Sequence, residues 1–458
     1  IHVWRNTTLN YGAAGALGAG DLEKAESMLA EIDQDALKAR RFDSSQYYLI
    51  RAWIAMERGD LQDAFNQQKT ALRLIQELGL PFIEAVIRTG MAQIRFELGD
   101  TRKSFENMKK VRVITKNIDS RLFEFHSLLI YAYLAFENRR ESLGLRALSA
   151  ALQIGRENNY SYTIMWQKQL MARLAVIALR HGIEPEYVKW LIVKRRLMPE
   201  EPPLDVEDWP WMFRVTTMGK FDIEWIGQAA GKKSKAQGRP IELLKAVIAF
   251  GGKDVRVQKI TDAMWPHIDS DYANRSFNTT LHRLRNILGD ENALILEGGQ
   301  LSLNPSFFWL DLWAIEQAQR QISRMIAGDI PGGLDEIRVV VAKVMNIYQG
   351  AFLGDEEASW AIGTREQVRN RFTRFSSQAV NYFNANDCPR EAIELLELAL
   401  ESDDTAESLY RLLMLCHVEQ GRKAEAIEVY NRCRTTLEGR LSVKPSPETE
   451  EIYQQIRG

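Results

Sequence analysis

With 458 residues, 45% of them hydrophobic and 26% charged, the chain has the composition of a soluble globular protein long enough for about three domains. A formal net charge of −2 excludes a uniformly basic chain that coats nucleic acid along its length, so charge has to be read segment by segment. Three cysteines, Cys388, Cys416 and Cys433, lack paired metal spacing and suit free thiols in a reducing cytosol better than a disulfide framework.

No apolar run approaches the roughly 18 residues of a membrane helix, and no signal peptide is recognisable, which predicts a cytoplasmic protein without membrane contact. The sequence opens on Ile1 rather than Met, as expected of a fragment of something longer.

In the first half a helix-breaking pair recurs: Gly20-Asp21, Gly59-Asp60, Gly99-Asp100 and Asn138-Arg139, at steps of 39, 40 and 39 residues. Periods of this size mark stacked helical hairpins, with glycine taking the left-handed turn between helices. Five residues after each glycine stand Ala25, Ala64 and Ser104, small enough for close helix packing; Leu143 breaks the pattern in the fourth unit. A TPR-like repeat domain over 1–198 is predicted, whose concave face would take an effector or a protein. Trp53, Phe96, Tyr131, Tyr133 and Trp166 are candidates to line it, with core packing as the alternative for most. The run "PEEPPLDVEDWPW", 199–211, reads as a linker, because proline cannot continue a helix.

From Phe213 the grammar changes. "FRVTTMGKFDIEWI" alternates as a strand and ends at Gly227. "GQAAGKKSKAQGRP" follows; Gly227 and Gly231 are one residue too close for a phosphate-binding P-loop, so a basic hairpin loop carrying Lys232, Lys233 and Lys235 is expected. Three helices are predicted over Ile241–Phe250, Val257–Met264 and Asn274–Leu288, then a hairpin "ALILEGGQLSLN" turning at Gly298-Gly299. Strands, three helices and a terminal hairpin make a winged helix-turn-helix over 212–310, whose third helix enters the DNA major groove while the wing touches the backbone.

That third helix is distinctive in charge. Phe277, Leu281, Leu284 and Leu288 form an apolar stripe, and no carboxylate falls between Asp271 and Asp290. A helix meant for a polyanion sheds carboxylates, keeps cations for phosphates and offers amides and hydroxyls to base edges. Arg275, Asn278, Thr279 and His282 are the base-edge candidates; Arg283 and Arg285, with the three lysines of the loop, are the phosphate candidates, and Gly298, Gly299 and Gln300 form the wing. A solvated polar surface is the alternative for each. The segment 212–310 carries 13 Lys and Arg against 10 Asp and Glu, a modest excess, so placement matters more than total. His282 has no partner at metal-ligand spacing, and Cys416-His417 reads as a buried thiol beside a surface imidazole. Trp265 and Trp309 read as packing residues.

The C-terminal segment, 311–458, repeats with a tighter period. "DCPREAIELLELAL" from Asp387 and "GRKAEAIEVYNRCR" from Gly421 are 34 residues apart, the length of a tetratricopeptide (TPR) unit, with Ala392 and Ala426 at its small-residue position and Tyr430 at an aromatic one. The fold class is therefore mainly α: TPR-like repeats, a winged helix-turn-helix with small β-sheets, and a second TPR-like domain.

"ITDAMWPHIDSDYANRSFNTTLHRLRNILG" resembles the OmpR-like winged helix of bacterial antibiotic-regulatory-protein (SARP) type transcriptional activators, through Ile260, Trp265, Pro266, Ala273, Leu281, Leu284 and Arg285. "IYQGAFLGDEEASW", with Tyr348, Gly350, Phe352, Leu353 and Trp360, resembles the start of that family's bacterial transcriptional activation domain, and "AESLYRLLMLCHVEQGRKAEAIEVYNRC" through "SVKPSPETEEIY" its remainder. The resemblance covers Phe213 to Tyr453 and implies promoter DNA and RNA polymerase as partners, with dimer contacts through the C-terminal repeats. Many relatives carry Arg where Asn278 stands and a wing Tyr where Gln300 stands, departures that bear on which DNA is read. The N-terminal repeats resemble the arrays of large maltose-regulator-type activators, which carry an ATP-binding module upstream. No cofactor and no enzymatic activity are expected of the chain itself. A scaffold whose winged helix grips protein is the rival reading; exposed Leu, Tyr or Trp on the third helix would favour it.

Overall fold

In the computed structural model, residues 2–225 and 238–458 are described, and the chain divides into two compact units, Ile1–Pro210 and Trp211–Gly458. The fold is mainly α. No helix among the described residues is long and apolar enough to cross a membrane.

The first unit consists of helices α1 (His2–Ala19), α2 (Leu22–Ala30), α3 (Gln34–Lys38), α4 (Arg41–Glu57), α5 (Leu61–Leu78), α6 (Pro81–Glu97), α7 (Thr101–Ile118), α8 (Arg121–Glu137), α9 (Glu141–Glu157), α10 (Lys168–Arg180) and α11 (Pro185–Arg195). α4 packs on α5, α6 on α7 and α8 on α9 as successive hairpins, and the first helices of neighbouring hairpins also touch. The Gly-Asp pair has two separate duties. Gly20, Gly59 and Gly99 hold φ of +85°, +78° and +82°, which turns the chain, while Asp21, Asp60 and Asp100 accept the amides of Lys24, Asp63 and Lys103 and cap the next helix.

The fourth hairpin is displaced by one residue from the spacing expected. Arg139, not Asn138, takes the left-handed position with φ of +55°, so Arg140 replaces the capping aspartate and makes no side-chain cap. Counting five from Arg139 reaches Gly144 rather than Leu143. Ala25, Ala64, Ser104 and Gly144 are all buried, and a Cβ on Gly144 would meet Phe136 Cε1 at 2.6 Å. The small-residue position is thus filled in every hairpin, and the apparent break is an offset in the turn.

Segment 199–211 has no helix or strand, as its prolines dictate, yet it is no solvent-borne tether. Leu204, Val206 and Trp209 are buried, and Asp205 and Asp208 accept from Arg180 (2.7 Å) and Lys189 (2.9 Å) of α10 and α11.

The second unit opens with β1 (Phe213–Thr216) and β2 (Asp222–Trp225), followed by α12 (Arg239–Ala249), β3 (Val255–Arg256), α13 (Val257–Met264), α14 (Ser270–Leu288), β4 (Leu294–Glu297), β5 (Gln300–Leu303) and β6 (Phe308–Leu310). The single alternating strand expected from Phe213 is a hairpin: Gly219, with φ of +84°, turns the chain between β1 and β2. β6 pairs parallel to β1, giving the order β2-β1-β6; the second sheet has the order β3-β5-β4 and carries the wing.

The unit continues with α15 (Asp311–Ala327), α16 (Leu334–Ile347), α17 (Ser359–Ala385), α18 (Pro389–Ser402), α19 (Glu407–Glu419), α20 (Lys423–Leu441) and α21 (Pro447–Arg457). Asp387 and Gly421 take left-handed turns at the 34-residue spacing, and Ala392 and Ala426 are fully buried. Tyr430 stacks on Tyr453 at 3.9 Å between ring centroids.

Two predictions test the repeat domain. Gly144→Leu overfills the α8–α9 contact and should lower stability by about 1–3 kcal/mol, whereas Leu143→Ala should change it by less than about 1 kcal/mol; thermal unfolding of both variants checks the register. His126 is buried with Nδ1 2.6 Å from Thr163 Oγ1, and burial depresses its pKa to about 4. A histidine held neutral in the fold and titrating near 6.5 when unfolded contributes stability above pH 6.5 that disappears as pH falls toward 4. Denaturant melts over pH 7 to 4 should show a loss of up to about 3 kcal/mol that His126→Gln abolishes.

Candidate nucleic-acid interface

α14 begins four residues earlier than its periodicity suggests, because the Asp269 carboxylate accepts the Asp271 amide at 3.0 Å and caps it. Gly289, with φ of +76°, ends it. Ala273, Phe277, Thr280, Leu281, Leu284 and Leu288 are buried, and the helix packs on α12 and α13. That stripe fixes which side chains face outward. Arg275, Asn278, Thr279, His282 and Arg283 are all exposed on one continuous surface.

Within that surface some donors are engaged locally. Thr279 Oγ1 donates to the Arg275 carbonyl at 3.0 Å, and His282 Nε2 lies 3.2 Å from Asn286 Nδ2. The Arg275 guanidinium stands 5.6 Å from the ring centroid of exposed Tyr272, one turn earlier. The side chains of Asn278 and Arg283 have no hydrogen bond or ion pair among the described residues.

Arg285 behaves differently from its neighbours. It is half-buried, its Nη2 donates to the Leu294 carbonyl at 2.8 Å, and its Nε is buried without a partner. The phosphate-clamp expectation for Arg285 is corrected: its guanidinium pins the first residue of β4 to α14 and so sets the angle between helix and wing. Lys232, Lys233 and Lys235 lie outside the described residues, as does the glycine loop around Gly227 and Gly231.

The wing turns at Gly298 and Gly299, both with positive φ (+55° and +73°), as a two-residue hairpin between right-twisted strands requires. Gln300 opposes Arg256 in the β3–β5 register. The wing strands contain no cation, and Glu297 is exposed. Positive charge beside the wing instead comes from exposed Arg256, while the Val257 amide donates to the Gly299 carbonyl at 2.9 Å and ties the start of α13 to the turn. Arg256 and Tyr272 are the residues that sequence reasoning missed. A two-residue strand has no periodicity to read, and Tyr272 lies before Asn274, where the periodicity places the start of the helix.

Trp265 and Trp309 are buried, as packing residues should be. Cys416 is buried as expected, but His417 is buried too, with Nδ1 lacking a partner; burial lowers its pKa. The surface imidazole is thereby corrected, since His417 falls on the inner side of α19. Of the aromatic residues weighed for the repeat domain, Trp53 and Trp166 are buried, whereas Phe96, Tyr131 and Tyr133 are half-buried.

Arg285→Leu removes a charge-assisted bond and strands the Leu294 carbonyl, a loss of about 1.5–3 kcal/mol. Hydrogen exchange should show faster opening of the β4–β5 amides in this variant than in Arg283→Leu, where no such bond exists.

The bacterial transcriptional activator domain family matches residues 310–457. The regulatory protein AfsR of Streptomyces griseus is 26% identical over 243 residues, which is 53% of this chain and 24% of that protein. AfsR of Streptomyces coelicolor is 26% identical over 224 residues, 48% of this chain and 22% of that protein. The chain thus spans about a quarter of the length of these curated relatives. Among solved structures, Mycobacterium tuberculosis EmbR in complex with a low-affinity phosphopeptide aligns over 54% of this chain and 65% of its own at 17% identity and a TM-score of 0.38, too low to argue from. The same holds for the TPR domain of P58(IPK), with a TM-score of 0.21 at 13% identity over 100% of this chain and 98% of that one. The chain thus carries a match to the bacterial transcriptional activator domain over 310–457 and is similar, across about half its length, to the AfsR regulatory proteins.

Proposed function

We propose that the chain is a sequence-specific DNA-binding transcriptional regulator that acts as an activator. Its winged helix docks on double-stranded promoter DNA with α14 in the major groove. The observation that carries this reading is the outward face of α14. Its apolar stripe is spent on its own domain; apart from Tyr272 in the first turn, the one exposed aromatic of the helix, what remains exposed from Asn274 to Asn286 is amide, hydroxyl, imidazole and guanidinium without a carboxylate. Such a face is attracted to a phosphate backbone, with no carboxylate to repel it, and it offers bidentate donors to purine edges. Arg275, Asn278, Thr279 and His282 read bases, Arg283 and Arg256 hold phosphates, and the Gly298–Gln300 turn lies along the neighbouring backbone.

The activator-domain match and the SARP-type relatives support the further step, in which the C-terminal repeats recruit RNA polymerase or pair two copies of the chain, and the N-terminal repeats receive a signal. A regulatory rather than catalytic role fits the same family.

Titrating promoter fragments across a salt series tests the docking. Affinity should fall linearly in log–log form with a slope of about −0.9 per phosphate contacted. Arg283→Glu should weaken binding to all sequences about tenfold and flatten that slope by about 1, with the melting temperature unchanged. Asn278→Ala should instead relax preference at one base pair, by about 1–3 kcal/mol. A salt-independent affinity, or an Arg283→Glu protein that binds like the parent, would remove α14 from the interface.

A further inference from the structure

The 40-residue period of the first unit puts equivalent side chains at the same height on successive helices. Counting along it, the last residues of α4, α6 and α8 are Glu57, Glu97 and Glu137. One turn earlier, the equivalent positions on α4, α6, α8 and α10 hold Trp53, Gln93, Tyr133 and Arg173. Of these, Glu57, Gln93, Glu97, Tyr133 and Arg173 line a cavity of about 860 Å³, together with Trp166.

The three glutamates differ in what they hold. Glu137 is bonded by Arg173, whose guanidinium also stands 5.6 Å from the Tyr133 ring centroid. That rung is a carboxylate and an aromatic face closed around a cation supplied by the chain. At the next rung Tyr133 takes the place of arginine and gives Glu97 only a neutral hydroxyl at 3.4 Å. At the rung beyond, Gln93 turns away to exchange bonds with Gln167 at 3.0 and 3.2 Å, leaving Glu57 with the Trp53 indole N–H at 3.2 Å. Neither Glu57 nor Glu97 has an ion pair among the described residues, and the same is true of Glu200 and Glu201 on the cavity wall. The wall has one further cation, Lys168.

We infer that this cavity is a binding site for an organic cation with two guanidinium or ammonium groups, one on Glu57 and one on Glu97. The Arg173–Glu137–Tyr133 rung shows the chemistry the site accepts. Neighbouring packed helices lie roughly 8–10 Å apart, so the two charges on the ligand are separated by about that distance. The Trp53 indole N–H and the Tyr133 hydroxyl beside the carboxylates are neutral donors that leave both negative charges uncompensated, and Trp166 lines the same wall. A small polyamine and a peptide segment with spaced arginines share this chemistry. The inference gives the signal-receiving role proposed above a chemical class, and its failure leaves the DNA-binding reading of α14 untouched.

Isothermal titration of the whole chain with spermidine, with a blocked Arg-Ala-Arg peptide and with 1,8-octanediol as the uncharged control tests it. One cationic probe should bind saturably and the diol should not, and the probe that binds identifies the source. Glu57→Gln/Glu97→Gln should lose at least tenfold in affinity with an unchanged circular dichroism spectrum, since both residues are exposed at helix ends. Absence of saturable binding by both cations, or equal binding by the double variant, would overturn the site.

Discussion

A carboxylate taken out of water is costly unless donors surround it, and Asp311 meets that condition with four. It is fully buried at the start of α15. Its oxygens accept the Thr217 and Met218 amides at the end of β1, the Thr217 hydroxyl at 2.7 Å and its own neighbour's Leu312 amide at 2.7 Å. Burial pushes its pKa up while those donors pull it down. The consequence is geometric. The last strand of the winged helix and the first helix of the activator domain leave the same point with their directions fixed, so the two segments behave as one body. Around that point the seam is closed further: Met218 bridges to Phe352, Leu353 donates to the Thr217 carbonyl, and Arg365 donates to the Phe352, Leu353 and Glu356 carbonyls. Thr364 of α17 donates to the Ala249 carbonyl at the end of α12, and Lys245 of α12 pairs with Glu356 at 3.0 Å.

α14 is packed on α12, so its orientation is inherited from that seam. In the docking proposed above, α14 has to meet the groove as a rigid surface, because ordering it on contact would subtract from the affinity gained. The stripe of Phe277, Leu281, Leu284 and Leu288 supplies the rigidity on one side, and Arg285 supplies it toward the wing. Charge clearance on the opposite side is the electrostatic counterpart: in the proposed docking, a single exposed carboxylate would offset much of the attraction of Arg275 and Arg283 to phosphate.

The repeat domain solves a different problem with fewer residue types. A positive-φ glycine, a capping aspartate and a buried small residue recur and fix the hairpin geometry, which leaves the position one turn before the recurring glutamate free to vary. That freedom is visible at Trp53, Gln93, Tyr133 and Arg173, four unlike side chains at one structural position. Variation where the backbone is constant is how such an array carries a binding surface without altering its fold.

Much of this was determined by the sequence alone, because it depends on local rules. Helical hairpins, the 34-residue C-terminal period, the two-glycine wing turn and the acid-free stretch of α14 follow from backbone sterics, periodicity and the order of charges. The tertiary structure decided what depends on neighbours distant in the chain. Arg285 looks like another helix cation until the Leu294 carbonyl takes it; Asn138-Arg139 looks like the fourth turn until Arg139 takes the left-handed angle and Gly144 the packing position. The alternation after Phe213 could not show that Gly219 splits it or that β6 would pair parallel to β1. His417 and the 199–211 segment look solvent-facing for the same reason. Composition states which side chains can be exposed, while burial is settled only by the helices that arrive beside them.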